Sequence, residues 1–127
     1  MGIAMRESDV LTACLQYLTM RGVFAWRSNN TGVYDPNRKK FRSFRGMKGV
    51  SDILGIIPQV SEIEGEEMTQ GLFLAVEVKR PGGTTSENQD WFLGQVTQLG
   101  GIALCVHSVT ELEEGLEPYL AFGPAEG

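Results

Sequence analysis

The chain has one histidine, His107, and two cysteines, Cys14 and Cys105, in 127 residues. That scarcity leaves no Cys/His cluster of zinc-ligand spacing. Both cysteines sit among apolar neighbours and read as small buried hydrophobes of a reducing compartment, not as a disulfide. No apolar run approaches the roughly 20 residues that a bilayer span needs. The start, Met1-Gly2-Ile3-Ala4-Met5-Arg6, lacks the long apolar segment of a signal peptide, and Arg6 stands where a myristoylation signal takes Ser or Thr. A cytoplasmic protein with no membrane partner is expected. Internal repeats and low-complexity segments are missing too, and the length suits one core rather than two.

Positive charge is nearly absent from the second half. Residues 61–127 carry 2 Lys/Arg against 12 Asp/Glu, whereas residues 1–60 carry 9 against 4. Six of the basic residues share one window: Arg38, Lys39, Lys40, Arg42, Arg45 and Lys48. A net charge of −5 does not exclude nucleic acid as a partner, because phosphate contacts depend on the local field. A solvated basic loop is the plain alternative.

What is present is a strand-like stretch, Gly71 to Arg80. Its apolar run is long enough for a strand and too short for a buried helix, and suits a central strand covered on both faces. Near its end come Glu77 and Lys79, which as strand residues i and i+2 share a face. By itself this could be a charged strand end. In chain order, Arg6 to Arg21 reads as a helix with Val10, Leu11, Cys14, Leu15 and Leu18 at helical spacing and Gly22 as its stop. Glu7 lies on the flank of that apolar face, although a first-turn Glu is usually dipole chemistry. Val23–Arg27 is a short strand, Ser28–Gly32 a turn or loop, and Asp35-Pro36-Asn37 a second turn. Phe41 and Phe44 interleave the basic window, and Gly46–Gly49 form an approach to a strand at Ser51–Ile57, stopped by Pro58. The polar residues 58–70 read as an exposed connection. Pro81-Gly82-Gly83 breaks the 71–79 strand. Ser86-Glu87-Asn88-Gln89 is a capping-box signature opening a helix to about Leu99, with Phe92, Leu93, Val96 and Leu99 as its core face. Ile102–His107 is a further strand and Ser108-Val109-Thr110-Glu111 opens a short helix ended by Pro118. Trp26, Trp91, Phe92 and Tyr17 read as core, and His107 as a surface residue at a strand end.

Asp52 and Glu77, placed on neighbouring strands, can share a sheet face. Two close carboxylates repel unless a proton or cation sits between them. A hard divalent ion takes this ligand set, and such an ion polarises a phosphoryl oxygen and activates water. Lys79 can orient that water or neutralise developing charge, or it can simply pair with Glu77. The set is coherent for phosphodiester hydrolysis.

Ser51-Asp52 and, after a spacer, Glu77-Val78-Lys79 resemble the PD-(D/E)XK nuclease superfamily, with Ser where that name has Pro. Gly46-Met47-Lys48-Gly49-Val50-Ser51-Asp52, the Glu77-Val78-Lys79 strand, Gln89 and the Gly-Gly before the final strand are similar to one branch, the VRR-NUC (virus-type replication-repair nuclease) domain. The match runs from about Arg6 to Val109. It implies an α/β fold with a restriction-endonuclease-like αβββαβ core, a mixed four-stranded sheet flanked by helices. The expected layout is a single nuclease domain over 1–127: a core of about 6–109, a helix of about 109–117 and a frayed tail at 123–127. The resemblance also implies catalytic roles for Asp52, Glu77, Lys79, Gln89 and Glu7. Mg²⁺ or Mn²⁺ would be held by Asp52, Glu77, the Val78 carbonyl and Glu7, the last directly or through water. Arg38, Lys39, Lys40, Arg42, Arg45, Lys48, Asn29 and Asn30 would contact DNA. Gln89 is equally explained as the cap partner of Ser86, and Asn29 and Asn30 as turn residues. Stand-alone members resemble Holliday-junction resolvases, which implies a homodimer acting on branched DNA in a bacterial or phage-infected cell. A general or restriction-type duplex endonuclease and a catalytically silent DNA-binding module are the competing expectations.

Overall fold

The structure is a computed structural model, and it describes residues 5–28, 33–42 and 46–120. Helix α1 spans Glu7–Met20 and buries Val10, Leu11, Cys14, Tyr17 and Leu18, the stripe read from the sequence with Tyr17 added. Gly22 ends it with φ of 76°, a left-handed conformation that glycine adopts without a Cβ penalty. Among the described residues six strands follow: β1 Phe24–Arg27, β2 Val33–Asp35, β3 Lys40–Arg42, β4 Ile53–Ile63, β5 Glu66–Val78 and, after helix α2 (Glu87–Gln98), β6 Ile102–Val106. Helix α3 (Val109–Leu116) and a 3₁₀ turn at Glu117–Tyr119 close the described chain. The expected frayed tail at 123–127 lies outside the described residues.

The main sheet has strand order β1-β4-β5-β6. β1–β4 and β4–β5 are antiparallel and β5–β6 is parallel, with α2 as the crossover. This is the mixed four-stranded sheet expected from the sequence. The separate β2–β3 hairpin falls where only turns and a basic window were read.

One sheet face is the core. Ile53, Ile57, Leu74, Val76, Val78, Ile102 and Val106 meet α1 and, from α3, Leu112 and Leu116. Each fully buried aliphatic side chain contributes about 1.5–3 kcal/mol before entropy is counted. The other face carries α2 over β5 and β6. That helix is thinly anchored: Val96 is its one buried residue, and Leu99 is 83% exposed. Leu99 therefore leaves the expected core face, because α2 stops at Gln98 and Leu99 lies past its last turn.

Pro58 does not stop β4. The strand continues to Ile63, with Pro58 opposite Gly71 and Glu62 opposite Glu67. β1 pairs with β4 from Ile53 to Ile56, so among the described residues no strand lies beside Pro58 on that edge, where its missing N–H costs no ladder bond. The connection expected over 58–70 is thus mostly strand. Its turn is Glu64-Gly65, with φ of 53° and 81°, the pair of positive angles that a two-residue type I′ hairpin needs.

Candidate active site

The β4–β5 register opposes Ile53 to Val76. One step further toward the end of the sheet, Asp52 stands opposite Glu77. Two local contacts fix Asp52: its Oδ2 accepts the Val78 N–H at 2.8 Å, and its carbonyl accepts the Ser28 N–H at 2.7 Å. The approach to Asp52 is wedged against α2. Gly49 has φ of +82°, and a Cβ there would lie 2.2 Å from the carbonyl oxygen of Asn88. Only glycine lets the loop come this close to the helix start, so the segment before Asp52 and the first turn of α2 form one unit.

Glu77 is 2% exposed. Its Oε1 accepts a hydrogen bond from Gln89 Nε2 at 2.8 Å and lies 3.8 Å from Lys79 Nζ. Its Oε2 is buried with no hydrogen-bond partner. Burial raises the Glu77 pKa to about 8; the charge of the neighbouring Asp52 adds to the rise, Lys79 opposes it, and Glu7 adds a smaller push. The strand alternation that puts Glu77 and Lys79 toward the site turns Val78 into the core, where it is fully buried.

Gln89 both caps α2 and reaches Glu77. Its Oε1 accepts the Ser86 N–H at 2.8 Å and its N–H reaches Ser86 Oγ at 3.2 Å, a reciprocal capping box. With the amide oxygen engaged in the cap, the NH₂ is aimed at Glu77. Glu7 is exposed in the first turn of α1 and influences Glu77 through its charge. Among the described residues, no three His, Cys, Asp or Glu side chains converge closely enough to hold one ion together. The carboxylates brought into contact are the Asp52–Glu77 pair.

Arg38 and Lys39 lie in the β2–β3 turn, Lys40 and Arg42 on β3, and Lys48 is exposed on the approach to Asp52. Asn29, Asn30 and Arg45 lie outside the described residues. Tyr17 is buried as expected and Phe92 half-buried. Trp26 and Trp91 are exposed instead: Trp26 lies on a part of the sheet that α2 leaves uncovered, and Trp91 on the solvent side of α2 itself.

Two features were missed in the sequence. Ser51, noted in the sequence only as standing where the superfamily name has Pro, is fully buried with its hydroxyl unpartnered beside Asp52. His107 is more than a surface residue. Its Nε2 lies 2.8 Å from the Gly83 carbonyl oxygen and its Nδ1 3.0 Å from Glu111 Oε2. Both partners are acceptors, so the imidazolium satisfies both. The Gly83 carbonyl and then Glu111 raise its pKa accordingly. The clasp ties β6 to the loop between Lys79 and α2. A lone histidine after a strand gives no signal of it in sequence.

Curated proteins and solved structures offer no match to the chain. The family model described as the VRR-NUC domain matches residues 12–110, a span that contains Asp52, Glu77, Lys79 and Gln89. The chain belongs to the VRR-NUC domain family and is a nuclease of the PD-(D/E)XK type.

Proposed function

We propose that the protein is a metal-dependent, structure-selective DNA endonuclease that cuts branched DNA, four-way junctions included, as a homodimer. The observation that carries this reading is the buried Asp52–Glu77 pair with Glu77 Oε2 unpartnered. Such a pair is stable only if it keeps a proton or holds a cation. Its carboxylate oxygens suit a hard divalent ion, Mg²⁺ or Mn²⁺, with the Val78 carbonyl and water as further oxygen donors. When bound, the ion supplies polarisation of a phosphoryl oxygen and acidification of water.

The chain's own residues do the rest. Asp52, held by the Val78 N–H, presents its second oxygen. Gln89 holds Glu77 Oε1, which leaves Oε2 free to point at the ligand site. Lys79 lies beside Glu77 and offsets charge that develops on the phosphate, or orients the attacking water. Arg38, Lys39, Lys40, Arg42, Arg45 and Lys48 supply the positive charge that a phosphate backbone needs near an otherwise acidic protein. A symmetric dimer would offer two such sites to two strands.

The test is cleavage of a synthetic four-way junction, a flap and a plain duplex with Mg²⁺ or Mn²⁺. Junction cutting that stops in EDTA and in Asp52→Ala, Glu77→Ala and Lys79→Ala is the expected result. Sequence-specific duplex cutting would replace the junction reading, and no cutting of any substrate with either metal would end the enzyme reading.

A further inference from the structure

The face that carries Asp52 and Glu77 continues as an open apolar stripe. The register gives three rows across it. The first is Asp52 opposite Glu77, the second Trp26–Leu54–Ala75, the third Phe24–Ile56–Phe73. Rows two residues apart share a face and are separated by about 6.7 Å. On the β5–β6 side this face is roofed by α2. On β1 and β4, and at the Phe73 position of β5, the described residues leave it bare: Phe24 is 69% exposed, Trp26 40%, Ile56 38% and Phe73 40%. The Phe24 and Trp26 rings lean together, centroids 5.3 Å apart with planes at 49°.

We infer that this stripe is a stacking platform for unpaired nucleobases next to the scissile phosphate, an inference that rests on the nuclease reading above. Three observations favour bases as its occupant. The substrate must approach the face from which Asp52 and Glu77 are reached, and α2 closes one side of that face, so DNA leaving the site passes over Trp26 and Phe24. The stripe carries no charge, so it suits the apolar π-faces of bases and not the phosphates, which belong with Arg and Lys. Its spacing also fits: with one phosphate about every 3.4 Å along a stacked strand, the Trp26 row lies about two nucleotides from the carboxylates. Bases inside a duplex cannot reach an aromatic side chain, so the platform selects DNA whose strand is open beside the cut.

Binding in metal-free buffer tests this without cleavage. The probes are an oligodeoxythymidylate of about 12 nucleotides, within the usual range of single-strand site sizes, and a blunt duplex of equal length. Trp26→Ala is expected to weaken single-strand binding roughly 5- to 150-fold and to leave duplex binding nearly unchanged, with Trp26→Phe retaining most of the affinity. A second measurement keeps the native stripe. The chain has two tryptophans, so in Trp91→Phe the emission of Trp26 is read alone, and the single strand should quench it where the duplex does not. Equal loss on both probes, or no loss and no quenching, overturns the platform. Unchanged DNA binding with a changed sedimentation mass in Trp26→Ala also overturns it, and assigns the stripe to a contact between copies. If the wild type binds the strand selectively but cuts nothing, the nuclease reading fails and the platform stands. If it cuts junctions while Trp26→Ala binds as the wild type does, the platform alone fails.

Discussion

The β4–β5 hairpin carries two acid pairs in the same ladder. Asp52 faces Glu77 at its base, and ten residues along each strand Glu62 faces Glu67 in the arm. The residue chemistry is almost the same, and the outcome differs. Glu62 and Glu67 stand in water, where the repulsion of like charges about 5 Å apart is on the order of 1 kcal/mol or less. At the base, Glu77 is buried beneath α2 and held by Gln89; burial first, and the Asp52 charge second, raise its pKa to about 8. Opposed carboxylates alone do not fix the electrostatics of a pair. Burial, a donor on one oxygen and a cation such as Lys79 alongside distinguish the base from the arm.

The largest contrast should appear in activity. Asp52→Ala or Glu77→Ala should lower junction cleavage by on the order of 10²–10³-fold or more, whereas Glu62→Gln and Glu67→Gln should leave it within about twofold. Equal effects at both ends of the hairpin would erase the distinction. Next is the pH dependence of metal-free stability. The folded pKa of Glu77 lies above its ordinary value of 4.5 at about 8, so between these values the folded state binds more protons than the unfolded. Stability in EDTA should therefore be highest near pH 5 and fall as pH rises toward about 8, with a total effect on the order of a few kcal/mol. Glu77→Gln should flatten that slope in thermal melts and Glu67→Gln should not. Divalent metal should restore more stability at pH 8 than at pH 5. The smallest contrast separates the two duties of Gln89. Ser86→Ala removes the cap and should cost about 1 kcal/mol in a denaturant melt with little change in cleavage. Gln89→Ala loses the cap partner and the Glu77 donor together, and should in addition slow cleavage by about 10- to 100-fold. Equal cleavage by these two variants would reduce Gln89 to a helix cap.

The base of the hairpin was legible in the sequence because its two codes agree. Leu72 to Val76 mark a covered strand, and the period of two then assigns Glu77 and Lys79 to one face and Val78 to the other. Gln89 was legible through the capping box, which happens to orient the same amide toward Glu77. The arm was not legible. Apart from half-buried Gln59, residues 58–70 are exposed on both faces, so no alternation of apolar and polar residues records their strand pairing. Pro58 pointed the wrong way, since only the end of β1 reveals that its edge is free. Trp26 was misread for a related reason. An aromatic residue in a strand predicts burial, and whether its face is roofed depends on where α2 lies, 60 residues later in the chain.

The arm also decides which lengths of chain this site can tolerate. Eleven residue pairs zip β4 to β5, from Ile63–Glu66 beside the turn down to Ile53–Val76. Adding one residue to each strand would lengthen the arm and leave Asp52 opposite Glu77. Adding a residue to one strand alone shifts the register by one, and every side chain below the insertion changes face. Asp52 would then point into the Ile53–Val76 core and away from Glu77. Insertions and deletions in the hairpin are therefore survivable in matched pairs or as a bulge, and the Glu64-Gly65 turn, farthest from the chemistry, carries the reading frame of the site.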